Sequence, residues 1–231
     1  MIQTYAAQGI EDPTAFMRFS VTQFGLHTMC LSGTKSTTYI DPFTSDRNYY
    51  IVYDKNSLGN DAQGFECFTD ETAHLPSLES DRAPLGAPKA INDQKFRIFR
   101  LAQSCTAEYG NIFANTGTEL ADIQAQMAIT INRVNTVYEI DLGIQLQFVA
   151  DNDEIIYFGS TTTDPWSNEW NTKTAQTIDA AIGVNNYDIG HNFNANSGGN
   201  AGCIGCVCLS SSQSSTHKGR GYTGRSNPTG D

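Results

Sequence analysis

Positive charge is scarce in this sequence. Its 231 residues carry 14 Lys and Arg against 25 Asp and Glu, a formal net charge of −11. Binding along a phosphate backbone needs a clustered basic footprint, so no nucleic-acid partner is expected. Long apolar runs are missing as well. No stretch approaches the roughly 20 apolar residues that cross a bilayer, and mean hydropathy is −0.37, so no membrane span is expected. The first residues, MIQTYAAQGIEDPTAF, have neither the basic n-region nor the apolar h-region of a signal peptide. The acidic residues are spread along the chain and form no tail, which fits a solvated acidic surface.

What is present supports a core: 39% of the residues are hydrophobic. Six cysteines stand at 30, 67, 105, 203, 206 and 208. Sequence alone does not choose among their pairings. Asn, Thr and Ser are abundant and Lys is rare, a composition that leans toward an exported protein, where disulfides persist.

The first half reads as β. AFMRFSVTQFGLHTMCLSG, with a turn near Gln23-Phe24-Gly25, is followed by TTYIDPF and NYYIVYDK, all rich in β-branched and aromatic residues. Close spacing predicts a meander. From Thr69 to Asp93 periodicity stops and prolines and charges gather, the composition of a linker and a place for a protease to cut, at Arg82 or Lys89 for instance. The second half opens with a strand in KFRIFRLAQSC, with Phe96, Ile98 and Leu101 as its apolar residues. A helix follows, begun by the capping-box pair Thr116 and Glu119. It carries an apolar stripe at Leu120, Ile123, Met127, Ile131, Val134 and Tyr138. IQLQFVA predicts a strand, KTAQTIDAAIG a second helix ending at Gly183, and YDIGHNF a third strand. The order is that of an α/β or α+β layer with crossovers.

One stretch, NNYDIGHNFNANSGG, approaches the zinc-helix spacing H-E-x-x-H-x-x-G-x-x-H. In that register Tyr187 takes the first His position, Asp188 the Glu, His191 the second His, Asn194 the Gly and Ser197 the third His. One His cannot supply a three-His site, and Gly198-Gly199 breaks a continuing helix. The strand reading needs no missing residue and is favoured. His191 with Cys203, Cys206 and Cys208 suggests a zinc knuckle, but no second C-x2-C pair accompanies them. Buried thiols or one disulfide are favoured over a metal, and no metal-ligating residue is assigned. Glu108 and the run Asp151 to Glu154 have calcium-compatible oxygens, and a solvated loop is again the preferred reading.

Taken together, FRIFRLAQSCTAEYG, AITINRVNTVYEIDLGIQLQFVADNDEIIYF, NNYDIGHNFNANSGGNAGCIGCVC and KGRGYTGRSNPTGD resemble the reprolysin-like (adamalysin-type) zinc metallopeptidases, a bacterial branch of the metzincins. The resemblance covers about Lys95 to Asp231. The part from Ile2 to Phe43 is similar to the end of the propeptide that precedes such catalytic domains. The resemblance implies three regions: a β-rich propeptide remnant at 1–68, a linker at 69–94, and the N-terminal part of a metalloprotease domain at 95–231. The implied fold is α+β, a partial metzincin upper subdomain with a mixed sheet and two main helices.

For the parent protein the resemblance implies a secreted, extracellular zinc endopeptidase that hydrolyses peptide or protein substrates with zinc-activated water. The zinc helix of that family is absent from these residues, so no catalytic residue is assigned. The expectation is an inactive fragment of a proenzyme, cut at both ends, with no zinc bound. An edge strand at about Asn200 to Leu209 is implied as the substrate-pairing element, with Ala201, Gly202, Cys203, Ile204 and Gly205 as its binding residues. Cys203 and Cys206 depart from the family pattern, and Cys208 matches it. Cys67 is the candidate for a cysteine switch, a propeptide thiolate on the zinc; a structural Cys or disulfide partner is the competing reading. The alternative for the whole chain is a non-catalytic module that binds peptides along an exposed edge strand.

Overall fold

The computed structural model describes residues 1–58, 65–70, 94–196, 198–209, 216–226 and 228. The expected linker between 71 and 93, with Arg82 and Lys89, lies outside the described residues, as does Ser197. The fold is mixed α+β. It has two five-stranded sheets and, among the described residues, three α-helices, α1 (Ala107–Phe113), α2 (Glu119–Leu142) and α3 (Trp170–Ala181). Contacts gather the chain into two compact units, 1–62 with 121–145, and 63–120 with 146–231. The regions expected from sequence follow chain order. The contacts instead group most of α2 with the N-terminal strands.

The first unit is the expected meander with one strand more. β1 (Gln3–Gln8), β2 (Phe16–Thr22), β3 (Gly25–Leu31), β4 (Thr38–Pro42) and β5 (Tyr50–Asp54) lie in sequence order, each antiparallel to the next. The β2–β3 turn falls at the expected place, and Gly25 there has φ +107°, which an L side chain resists. β1 was not expected: all six of its residues are exposed, so no apolar alternation announces it.

Helix α2 meets β2 through a polar face. Arg18 Nε donates to Asn132 Oδ1 at 2.6 Å, Asn132 Nδ2 donates to Ser20 Oγ at 2.9 Å, and Arg18 also pairs with Glu139. Arg133 pairs with Asp41 of β4, and its guanidinium lies 5.3 Å from the Tyr39 ring centre. The predicted stripe is only partly the buried face. Ile123, Met127 and Ile131 are buried, yet Tyr138 is exposed, and Asp122, Asn132, Asn135 and Thr136 are buried beside the apolar residues. Buried polar groups need partners, and α2 finds several of them on the strands. The helix start also differs from a capping box: the Glu119 carboxylate accepts from the Gly117 N–H at 3.0 Å.

The second unit holds the sheet β7-β6-β8-β10-β9, made of β6 (Arg97–Cys105), β7 (Ile144–Phe148), β8 (Ile189–Asn194), β9 (Gly198–Asn200) and β10 (Gly221–Gly224). β6, β8 and β10 run parallel, and β9 runs antiparallel to β10. β6, β7, β8 and α3 match the elements expected from sequence. α3 stops before Gly183, which has φ +84°. Ile178 and Ile182 of the α3 region pack with Ala102, Ile155 and Tyr187 into the core of this unit. Tyr187 is fully buried, and its hydroxyl donates to Asp179 Oδ1 at 2.7 Å.

Candidate peptide-binding edge

β9 ends the second sheet. One of its edges pairs with β10, through Gly198 opposite Gly224, Gly199 opposite Thr223 and Asn200 opposite Tyr222. Its other edge carries a piece of the same chain. The Gly199 N–H donates to the Glu66 carbonyl at 2.9 Å, and the Phe68 N–H donates to the Gly199 carbonyl at 2.7 Å. Cys67 is thereby the parallel bridge partner of Gly199. Two further bonds extend the contact. Asn200 Nδ2 donates to the Phe68 carbonyl at 2.7 Å, and the Ala201 N–H donates to Thr69 Oγ1 at 2.9 Å. An extended segment thus adds a row of bonds to a sheet edge, the physics of β-augmentation.

Two glycines make that approach possible. A Cβ on Gly198 would stand 2.7 Å from the Glu66 carbonyl oxygen, and one on Gly199 would stand 3.2 Å from the Phe65 ring. Gly198 also has φ +89°. Each main-chain hydrogen bond contributes on the order of 1 kcal/mol net, so the described bonds hold the segment modestly.

The edge strand expected at Asn200 to Leu209 is shorter and lies earlier in the chain. Only Gly198–Asn200 forms a strand, and Ala201, Gly202, Cys203, Ile204 and Gly205 lie beyond it in a turn-rich loop. Gly202 and Gly205 have φ +70° and +74°, values that do not continue an extended strand. A disulfide joins Cys203 to Cys206, one of the two outcomes expected for these cysteines. The loop is tied back to the sheet: the Gly202 N–H donates to Asn200 Oδ1 at 2.6 Å, and the Cys208 N–H donates to the Asp188 carbonyl at 2.9 Å. In the sequence Gly198 and Gly199 signal only a break in any helix. A three-residue strand, two of them glycine, has no side-chain alternation to reveal it, and the only signal was the absence of a Cβ at a sheet edge.

Between β8, β10 and the 201–207 loop lies a cavity of about 190 Å³ lined by His191, His217, Lys218, Cys203 and Cys206 among others. Its groups are already engaged. His191 Nε2 is 3.0 Å from Thr223 Oγ1, and its Nδ1 is 3.3 Å from Gln103 Nε2. Burial pushes the His191 pKa down to about 4, so the ring is neutral near pH 7. His217 Nδ1 accepts from the Gly219 N–H at 3.1 Å, which leaves Nε2 to carry the proton toward Asp179 at 3.1 Å. Lys218 Nζ donates to the carbonyls of Val184 and Tyr187, and burial lowers its pKa.

A zinc ion does not fit this set. Both histidines are spent on other partners, both sulfurs are in a disulfide, and no group of three His, Cys, Asp or Glu among the described residues is placed to hold a metal. Glu108 and Asp151 to Glu154 belong to no such group either. Asn152 is turned to other work: its Oδ1 accepts from the Gln103 N–H at 2.8 Å and its Nδ2 donates to the Gln103 carbonyl at 2.9 Å, tying that turn to β6. Asp188 is held by Arg100 and is not placed as a base. What the site offers is main-chain binding of an extended peptide. Cys67 lies on that edge as an exposed thiol outside any disulfide.

Residues 124–230 match the family model described as Metallo-peptidase family M12B Reprolysin-like. The matched range includes most of α2 and the chain from β7 through β10, and it is less than half of the 231 residues. No curated protein matches. No solved structure matches.

Proposed function

We propose that these residues are part of a secreted zinc metalloendopeptidase proenzyme of the reprolysin-like kind. In this reading β9 is the strand along which an extended substrate peptide pairs. The segment around Cys67, at the end of the propeptide region, occupies that strand and keeps substrate away. The observation that carries the reading is the pair of main-chain hydrogen bonds from Gly199 to Glu66 and Phe68. The family match over 124–230 supplies the reaction class, peptide-bond hydrolysis. No step of that hydrolysis is drawn through the residues described, because none of them is set to hold the metal. The 231 residues contain no H-E-x-x-H, so the chain by itself is proposed to be inactive. Secretion is supported by the Cys203–Cys206 disulfide, which persists in oxidising compartments.

Cys67 is proposed as the switch thiol of the parent enzyme. Its place beside Gly199 supports this, since a thiolate there would sit on the same edge as the peptide bond to be cut. The second reading, a peptide-binding module without catalysis, is favoured by the same occupied edge and needs no metal.

The coding sequence beyond the codon for Asp231 tests the choice. A frame running into H-E-x-x-H-x-x-G-x-x-H supports the protease reading. A stop codon directly after Asp231 overturns it and leaves the peptide-binding module.

A further inference from the structure

Main-chain bonds to β9 are available to any peptide sequence. The side chains of the bound segment add a selection. Where a Cβ would stand on Gly198, the Phe68 ring carbon Cε2 lies 2.5 Å away, and where one would stand on Gly199, Phe65 Cζ lies 3.2 Å away. Two aromatic rings, three positions apart, therefore stand close over two consecutive glycines, and a Cβ on either glycine would make the ring above it shift. Phe65 and Phe68 remain 58% and 47% exposed, so neither is a core residue. A flat aromatic ring can lie against bare backbone with more contact area than a branched aliphatic chain of similar size.

The geometry points to a specificity device: Gly198 and Gly199 form a flat seat for aromatic side chains, and the edge prefers peptides with aromatic residues three positions apart, as in Phe65-Glu66-Cys67-Phe68. This rests on the proposed peptide-pairing role of β9 and names the substrate class that role selects. Gly199 is the discriminating position. A Cβ there meets the Phe65 ring at 3.2 Å and the Tyr222 oxygen at 3.1 Å, while the backbone itself is unstrained for an L residue. Gly198, with φ +89°, would be strained by any substitution.

Two readouts on the 231-residue chain test the seat. The first is hydrogen exchange at the Gly199 amide, with β8 amides as the check that the sheet is intact. Phe68→Ala is expected to speed Gly199 exchange about tenfold, and Phe68→Tyr to leave it near the parent rate. Equal protection in the Ala variant and the parent overturns the aromatic seat. The second is binding of acetyl-Gly-Phe-Glu-Ser-Phe-Thr-amide to the chain carrying F65A and F68A. This probe is expected to bind about tenfold tighter than the same peptide with Ala at both Phe positions. Indistinguishable binding of the two probes overturns the seat. If Gly199 in the parent chain exchanges at the rate of an unprotected amide, the edge pairing itself fails, and the proposed function loses its supporting observation by a different route.

Discussion

Asp188 holds Arg100 through both carboxylate oxygens. Oδ1 accepts from Nη2 at 2.8 Å, while Oδ2 accepts from the Arg100 main-chain N–H at 2.8 Å and from Nε at 3.2 Å. The pair ties the entry of β8 to the middle of β6. The acidic residue that falls in the Glu position of the zinc-helix register is thus a clamp at the start of a strand, and His191 lies within that strand.

Acid should weaken this clamp in a definite window. The Arg100 donors hold the Asp188 carboxyl below the usual carboxylate range. A depressed folded pKa gives stability that is complete above the unfolded value, about 4, and is lost as pH falls through the folded value. The Arg100 side chain is 50% exposed, so the pair contributes about 1 kcal/mol or less. Asp188→Asn is expected to lower stability slightly at pH 7 and to flatten its dependence below pH 4, read by urea denaturation across that range.

His191 sets a second, higher window. Its folded pKa is near 4, pushed down by burial. The unfolded chain therefore takes up the proton first. Stability is complete above about pH 6.5 and falls as pH drops from there toward 4, by at most roughly 3 kcal/mol. His191→Gln should remove most of that slope. Denaturation at pH 7 and pH 5, with the imidazole followed by NMR, checks it. A normal imidazole titration near 6.5 would refute the prediction.

The cysteines should separate by reactivity. Cys67 and Cys208 are exposed thiols, Cys105 is buried, and Cys203 and Cys206 are bonded to each other. Burial pushes the Cys105 thiol up to about 12, which leaves almost no thiolate at neutral pH. Iodoacetamide on the native chain is expected to modify Cys67 and Cys208 and to spare Cys105 until the chain is unfolded. Cys203 and Cys206 should react only after reduction. Peptide mapping by mass spectrometry gives the order.

The polar face of α2 should be costly to break. Arg18 and Glu139 form a pair with side chains only 8% and 10% exposed. Removing one partner leaves a buried charge, which costs about 3–5 kcal/mol. Glu139→Ala is expected to fall in that range by chemical denaturation. Replacing Arg18, Asn132 and Glu139 together by apolar residues of similar size should cost much less, because no charge is then stranded.

Local sequence determined most of the strands and helices. β-branched and aromatic composition announced most of the N-terminal strands, alternation announced β7, three- and four-residue spacing announced α2, and Gly183 marked the end of α3. The likeness of residues 124–230 to the reprolysin-like family model was likewise legible, through the order of the segments.

Tertiary structure alone decided the rest. The six exposed residues of β1 carry no pattern, since their strand exists through pairing with β2. The polar face of α2 reads as solvent-facing until Arg18 and Ser20 supply its partners. The edge strand lies at Gly198–Asn200 and not at 201–205, and its glycines have no side chain to give periodicity. That edge is defined by main-chain hydrogen bonds to Glu66 and Phe68, residues more than a hundred positions away. Such bonds are made by atoms common to every residue, so no local sequence pattern can specify them.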